Sequence, residues 1–507
     1  MKKTEIQMLP GECWYGFVVE DCLSYPLDEK STYTCLQRSD NHSTNQEAPL
    51  LLSTAGRYLY ADTPVDLSVK DGVITVDDTM MLSEGHQTLR GAFLHCASTH
   101  FSLSHPIPPA VFFRRPQYNT WIELIYNQNQ KDVLTYAHGI LDHGLPPGIL
   151  MIDDHWNIYY GNWAFDPIAF PDPRAMVEEL HQMGFVVMLW VCPFVSPDSM
   201  EYRYLAEKGY LVCGSDKTAR VQKWWNGYSA ILDMSNPGAQ DWMRQKLDRL
   251  MQEYGIDGFK FDAGDVKFYR DDDVCFDPNI TAAQQCTLWA KFGASYAYNE
   301  FRACFGAQGL PLVQRLSDKH HRWQGGVDLL VPGALAQGIL GYAYGCPDMI
   351  GGGDFEDFRD ENMNVDEELF VRYAQCAALM PMMQYSAAPW RVLHGEYAKA
   401  CLAAGNIHEQ YADLFESLAH HAANTGEPII RYMEYMFPHQ GMAHVTDQFM
   451  VGEELLVAPV YQKGVRTRSV VLPKGKWKYC DGTVYEGGQS VNVPAPLDVL
   501  PYFVPQR

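Results

Sequence analysis

The sequence predicts an α/β fold: a (β/α)8 barrel flanked by an N-terminal β-sandwich and a small C-terminal β domain. Three observations carry this. Continuous apolar runs, GILMID (148–153) and FVVMLWVCPF (185–194), alternate with amphipathic helical patterns, and apolar strands between helices belong to a parallel sheet covered on both faces. The runs end in polar groups, where a parallel barrel keeps its working residues. No GxGxxG turn joins a strand to a helix, which disfavours the runner-up, a doubly wound sheet.

Taken in order, residues 1–110 form the β-sandwich, because GRYLYADTPVDLSVKDGVITVDD alternates Thr, Val and Ile around a KDG turn. The Pro-rich SHPIPPAVFF (104–113) reads as the boundary. The barrel occupies 111–426. Within it DPRAMVEELHQMG (172–184) is a capped amphipathic helix, and GAQDWMRQKLDRLMQEYG (238–255) is a helix feeding the strand IDGFKFDAGD (256–265). EQYADLFESLAHHAANTG (409–426) is the last long helix. From LLVAPVYQKG onward short strands return, so 427–507 forms a C-terminal β-sandwich domain.

Net charge is −23 over 507 residues, which argues against nucleic acid as a partner, since phosphate backbones need clustered Lys and Arg. No run reaches the ~18 apolar residues of a membrane span, and MKKTEIQMLPGECWYG lacks the apolar stretch of a signal peptide. Membrane association is therefore unexpected. Thirteen cysteines without a CxxC pair read as reduced thiols in a cytoplasmic protein and give no support for zinc. Homo-oligomerisation stays open. The 12 Trp and 30 Tyr suit sugar or nucleobase faces, although core packing accounts for such rings equally well.

The chemistry concentrates in FKFDAGD. Alternation puts Phe259 and Phe261 on one strand face and Lys260 and Asp262 on the other. Such charges are buried only if they pair or react, so a core ion pair is the plain alternative. Asp153, Asp154, Trp190, Asp262, Asp265, Arg315, Asp318 and Asp348 all fall at predicted strand ends, fringed by Trp121, Trp224, Trp225 and Trp323. Two positioned carboxylates between aromatic walls describe glycoside hydrolysis, in which one attacks the anomeric carbon and the other donates and later accepts a proton. Lys260 would keep Asp262 ionised by opposite charge. A sugar-binding scaffold on an inactive barrel would have lost a carboxylate. A metal- or phosphate-dependent aldolase or isomerase would want a Gly-rich phosphate loop or a His/Glu cluster, and HHRW (320–323) is the nearest match.

FKFDAGD, WWNGYSAILDMSNP, LGYAYGCPDMIGG, GEPIIRYMEYMFP and QFMVGEELLVAPV with LPKGKWKYCDG occur in the order that resembles glycoside hydrolase family 31, retaining α-glycosidases built on a (β/α)8 barrel. The resemblance runs from about residue 110 to the C-terminus. It implies Asp262 as nucleophile with Lys260 as its neighbour. Asp153, Asp154, Trp190, Trp225, Arg315 and Trp323 then surround the sugar, and Asp348 supports it. No cofactor and no metal are implied, and the partner is a small oligosaccharide or glycoside. Much of the family carries its acid/base in W-x-G-D. Here that stretch is WQGG, with Asp328 beyond it read as a barrel-strand residue. RLSDKHHRW instead fits the branch resembling myogenesis-regulating glycosidases and bacterial α-galactosidases, which makes Asp318 the acid/base. Gly353 stands where much of the family has Phe, and Ser386 where the last strand offers His. These departures favour α-D-galactosides over α-glucosides or α-xylosides.

Overall fold

The structure is a computed structural model that describes residues 2–38, 41–103, 106–270, 272–359 and 365–506; residues 104 and 105, which open the Pro-rich stretch, lie outside them. Eight parallel strands form the barrel: β1 (Gln117–Asn119), β2 (Ile149–Ile152), β3 (Val186–Val191), β4 (Gly258–Phe261), β5 (Tyr298–Phe301), β6 (Gln314–Arg315), β7 (Gly345–Cys346) and β8 (Gln384–Tyr385). Seven successive pairings run from β7 through β6, β5, β4, β3, β2 and β1 to β8. The gap between β7 and β8 is bridged at Met349 and Gln384, where Ile350 N donates to the Gln384 carbonyl at 2.8 Å.

The apolar runs read from the sequence become β2 and β3, buried along nearly their whole lengths. The barrel interior is unusually polar. Gln384 Nε2 donates to Gln117 Oε1 at 3.0 Å and Glu300 Oε2 at 2.6 Å, while Lys260 and Arg315 are also buried. The charged groups are paired, Lys260 with Asp153 and Arg315 with Asp348, while Gln117 Nε2 and Gln384 Oε1 have no hydrogen-bond partner among the described residues. Helices Pro173–Gln182 and Pro237–Tyr254 lie outside the sheet, each opened by an Asx cap and a proline in the first turn.

The N-terminal region holds a four-stranded and a five-stranded sheet. Strands Asp66–Lys70 and Val73–Asp77 turn at Asp71 (φ 51°) and Gly72 (φ 74°), the conformation a two-residue hairpin asks for. A helix over Leu89–His100 stands where the sequence reading placed only β-type runs. Its buried Leu89, Ala92, Phe93, Cys96 and Ala97 keep helical spacing, and Thr88 caps its start. The chain after β5 returns to this region, where Cys304–Phe305 pairs in parallel with Gln46–Glu47. The C-terminal strands form six-stranded and two-stranded sheets around Met450, Leu456, Trp477 and Phe503. Among the described residues no helix is long and apolar enough to cross a membrane.

Candidate active site

A cavity of about 560 Å³ opens at the C-terminal ends of the barrel strands. Its lining includes Asp153, Asp154, Trp190, Trp225, Lys260, Asp262, Arg315 and Asp318, together with Glu20 and Thr44 from the N-terminal region. The geometry of Asp262 follows from the end of β4. Its amide extends the ladder to the Val191 carbonyl at 2.9 Å, and the chain then turns through Ala263 (φ 56°) and Gly264 (φ 73°). Trp289 packs so closely there that a Cβ on residue 264 would come within 2.5 Å of its ring. The turn leaves the Asp262 side chain 13% exposed.

Trp190 Nε1 donates to Asp262 Oδ2 at 2.9 Å, while Arg302 Nε and Ala263 N donate to Oδ1 at 3.1 and 2.7 Å. Burial pushes the carboxyl up, but Arg302, then Lys260 and Arg315, and the Trp190 bond hold it well below the usual carboxylate range. Arg302 is thus the foremost cation on Asp262. Lys260 acts from further away, because its Nζ is paired with Asp153 Oδ2 at 2.6 Å. Sequence reasoning missed Arg302 because β5, YNEF, buries Asn299 and Glu300 and shows no apolar run. An arginine directly after that strand was the available signal. Asp265 is withdrawn from the cavity: it is fully buried and takes two hydrogen bonds of 2.9 Å from the Arg302 fork.

Asp318 lies on the loop after β6. Its side chain is 40% exposed, with Oδ1 2.7 Å from Arg315 Nη1. Asp348 does not line the cavity and is fully buried. It accepts from Arg315 Nη1 at 2.8 Å, Lys319 N at 2.7 Å and Tyr373 Oη at 3.1 Å, so it braces the Asp318 loop from behind. Burial pushes its carboxyl up.

Asp154 accepts from Tyr160 Oη at 3.1 Å and from Asn226 Nδ2, and burial raises its carboxyl. Trp225 is 47% exposed at the rim, with the Arg302 guanidinium 5.4 Å from its ring centre. Other sequence candidates fall elsewhere. Trp224 is buried against Phe194, and Trp323 is outside the cavity lining, donating to Asp366 at 2.9 Å. Asp328 is not on a strand: it sits in the 3-10 turn Val327–Leu329, accepting from the Gly325 and Gly326 amides. Ser386 does not line the cavity, and its buried hydroxyl accepts from Ile122 N at 2.7 Å. Tyr126, Ser317, Asp354 and Phe355 line the cavity without having been singled out by sequence.

Among the described residues, His320, Asp354 and Asp357 bring potential ligand atoms within 4.8 Å of one another. His320 Nδ1 lies 3.0 and 2.9 Å from the two carboxylates, and the three are already satisfied as a hydrogen-bonded group.

Comparison with known proteins adds two matches by description. The TIM-barrel domain of glycosyl hydrolases family 31 matches residues 107–404, and the family 31 C-terminal domain matches residues 426–506. A myogenesis-regulating glycosidase of Mus musculus is 33% identical over 421 residues, covering 80% of this chain and 58% of the relative. An α-xylosidase, XylQ, of Lactiplantibacillus pentosus is 24% identical, covering 90% of this chain and 62% of the relative. The chain thus spans a little over half the length of these relatives. A family 31 dextranase of Flavobacterium johnsoniae, solved with glucose, superposes with a TM-score of 0.86 at 18% identity over 99% of this chain and 66% of its own; at that identity it shows the fold alone.

Proposed function

The chain belongs to glycoside hydrolase family 31, and from that premise we propose that it is a retaining α-glycosidase with Asp262 as nucleophile and Asp318 as acid/base. Asp262 attacks the anomeric carbon while Asp318 protonates the departing oxygen. Asp318 then takes a proton from water, which displaces the sugar from Asp262. The observation that carries this reading is the state of Asp262, a carboxylate open to the cavity yet held ionised by Arg302. Trp190 and Trp225 offer apolar walls to the ring. The cytoplasmic assignment is likewise a proposal, made from the sequence alone.

A 5-fluoroglycosyl fluoride of the preferred sugar is expected to label Asp262, and Asp262→Ala to abolish turnover in a folded protein. Asp318→Ala is expected to retain more of its kcat/KM on substrates that need no leaving-group protonation, while its kcat becomes limited by deglycosylation and is accelerated by azide with formation of an α-glycosyl azide. Labelling at Asp153, or azide rescue in Asp328→Ala with Asp318→Ala unchanged from the parent, overturns the assignment.

The sugar we propose is an α-D-galactoside. Asp153, Asp154 and Lys260 line the cavity, and we take them as the groups that read O4 and O6. A site built to hydrogen-bond one hydroxyl can reject an analogue that misplaces it by roughly 10⁴-fold. Ser386 gives this choice no support, since it lies outside the cavity. The relatives described above include an α-xylosidase and a dextranase, so the deciding comparison is kcat/KM for aryl α-galactoside against the gluco and xylo analogues. A ratio at or below one removes the galactoside assignment.

A further inference from the structure

Gly353 is where two loops of the barrel mouth meet. One carries Asp318, and the other descends from β7 through GGG (351–353). A Cβ built on Gly353 would lie 2.9 Å from Asp318 Oδ1, 3.0 Å from its Cγ and 2.6 Å from Met349 Cε. The preceding glycine is equally crowded: at φ +105° a Cβ there would come within 2.5 Å of the Lys319 carbonyl. The Asp318 loop is therefore laid directly on glycine backbone.

That backbone is not free to retreat. The Gly353 carbonyl accepts from Trp121 Nε1 at 3.0 Å, and its amide faces Asp348 Oδ2 at 3.3 Å. Asp348 in turn holds Arg315 and the Lys319 amide. Anything added at residue 353 must displace a side chain. Of the two in its way, the Met349 methyl is the end of a flexible thioether, whereas Asp318 is set at 2.7 Å on Arg315 and is the group whose position matters to chemistry.

We infer that Gly353 is a positioning residue for the acid/base: its missing side chain is the space in which the Asp318 carboxylate stands. The inference rests on the assignment of Asp318 made above and deepens it. It also joins two features the sequence shows separately, the RLSD motif and the glycine after PDMIGG. In this chain the Asp318 carboxylate where it now stands and a Cβ at residue 353 compete for the same space.

The test is a double-mutant cycle of Gly353→Ala and Asp318→Ala on the full chain. Two substrates are used: an aryl α-glycoside with a poor leaving group and the corresponding glycosyl fluoride. Removing general acid assistance is expected to cost on the order of 10²-fold, so Gly353→Ala should lose about that much in kcat/KM on the poor leaving group and only a few-fold in kcat/KM on the fluoride. The fluoride rate also serves as the check that the variant is folded. In the Asp318→Ala background, Gly353→Ala should cost little more, because the group it displaces is gone. Equal losses in both backgrounds, or loss on both substrates alike, would place the effect on Met349 or the backbone and overturn the inference. An unchanged Gly353→Ala alongside an impaired, azide-rescued Asp318→Ala overturns it too. If Asp318→Ala itself is unimpaired on the poor leaving group, the acid/base assignment fails first and the inference with it.

Discussion

Arg302 touches three things at once: the Asp262 carboxylate, the buried Asp265 and the Thr44 carbonyl of the N-terminal region. As the proposed nucleophile, Asp262 needs to be ionised to attack, and an opposite charge nearby lowers a carboxyl. Arg302→Lys keeps a cation but cannot span both carboxylates as the planar fork does. Asp262 should then rise toward the ordinary range. Because the proposed nucleophile acts as the anion, the acid limb of kcat/KM should move to higher pH. A limb that stays in place while only the melting temperature falls would mean that Arg302 serves Asp265 and the fold alone. Asp262 itself was legible in FKFDAGD, since alternation and burial cost depend on near neighbours. Its counter-charge was not. Lys260 is two residues away in sequence, but its ammonium is taken by Asp153.

At the scale of elements, the segment Thr44–Gln46 splints the site. The Asn45 amide exchanges hydrogen bonds with Ser317, its Nδ2 donating to Oγ at 2.9 Å and its Oδ1 accepting from the Ser317 amide at 2.6 Å. Gln46 Nε2 reaches the carbonyls of Arg302 and Arg315. One N-terminal strand end therefore fastens the loops that carry Arg302 and Asp318. Asn45→Ala removes the partner of the Ser317 amide. A catalytic group displaced by about 1 Å can cost on the order of 10²-fold, so kcat/KM on poor leaving groups should fall 10- to 100-fold while kcat/KM on glycosyl fluorides changes little. Equal losses on both substrates would show a general loosening instead. Strand and helix periodicity placed β2, β3, β4 and the helices between them from sequence. The two-residue strands β6, β7 and β8 carry too few residues to show any period.

Across the whole molecule, the barrel is an arrangement of charge as much as of apolar packing. Asp153 with Lys260, Glu300 with Arg315, and Arg302 with Asp262 and Asp265 fill the interior and the mouth of a chain whose net charge is −23. Each pair joins residues from different strands or their following loops, brought together by the closure of the sheet. The sequence alone determined the α/β class, the barrel and the carboxylates at its strand ends, because these follow from local periodicity and from the cost of burying charge. It also held the helix Leu89–His100 in its spacing, unread among β-type runs. Only the tertiary structure decided which cation holds Asp262, that Asp265, Asp348, Ser386 and Trp323 stand outside the cavity, and that Asn45 and Gly353 bear on Asp318. Those relations span tens to hundreds of residues, from Asn45 to Ser317 and from Trp121 to Gly353, and are fixed by chain crossings on which local pattern has no hold.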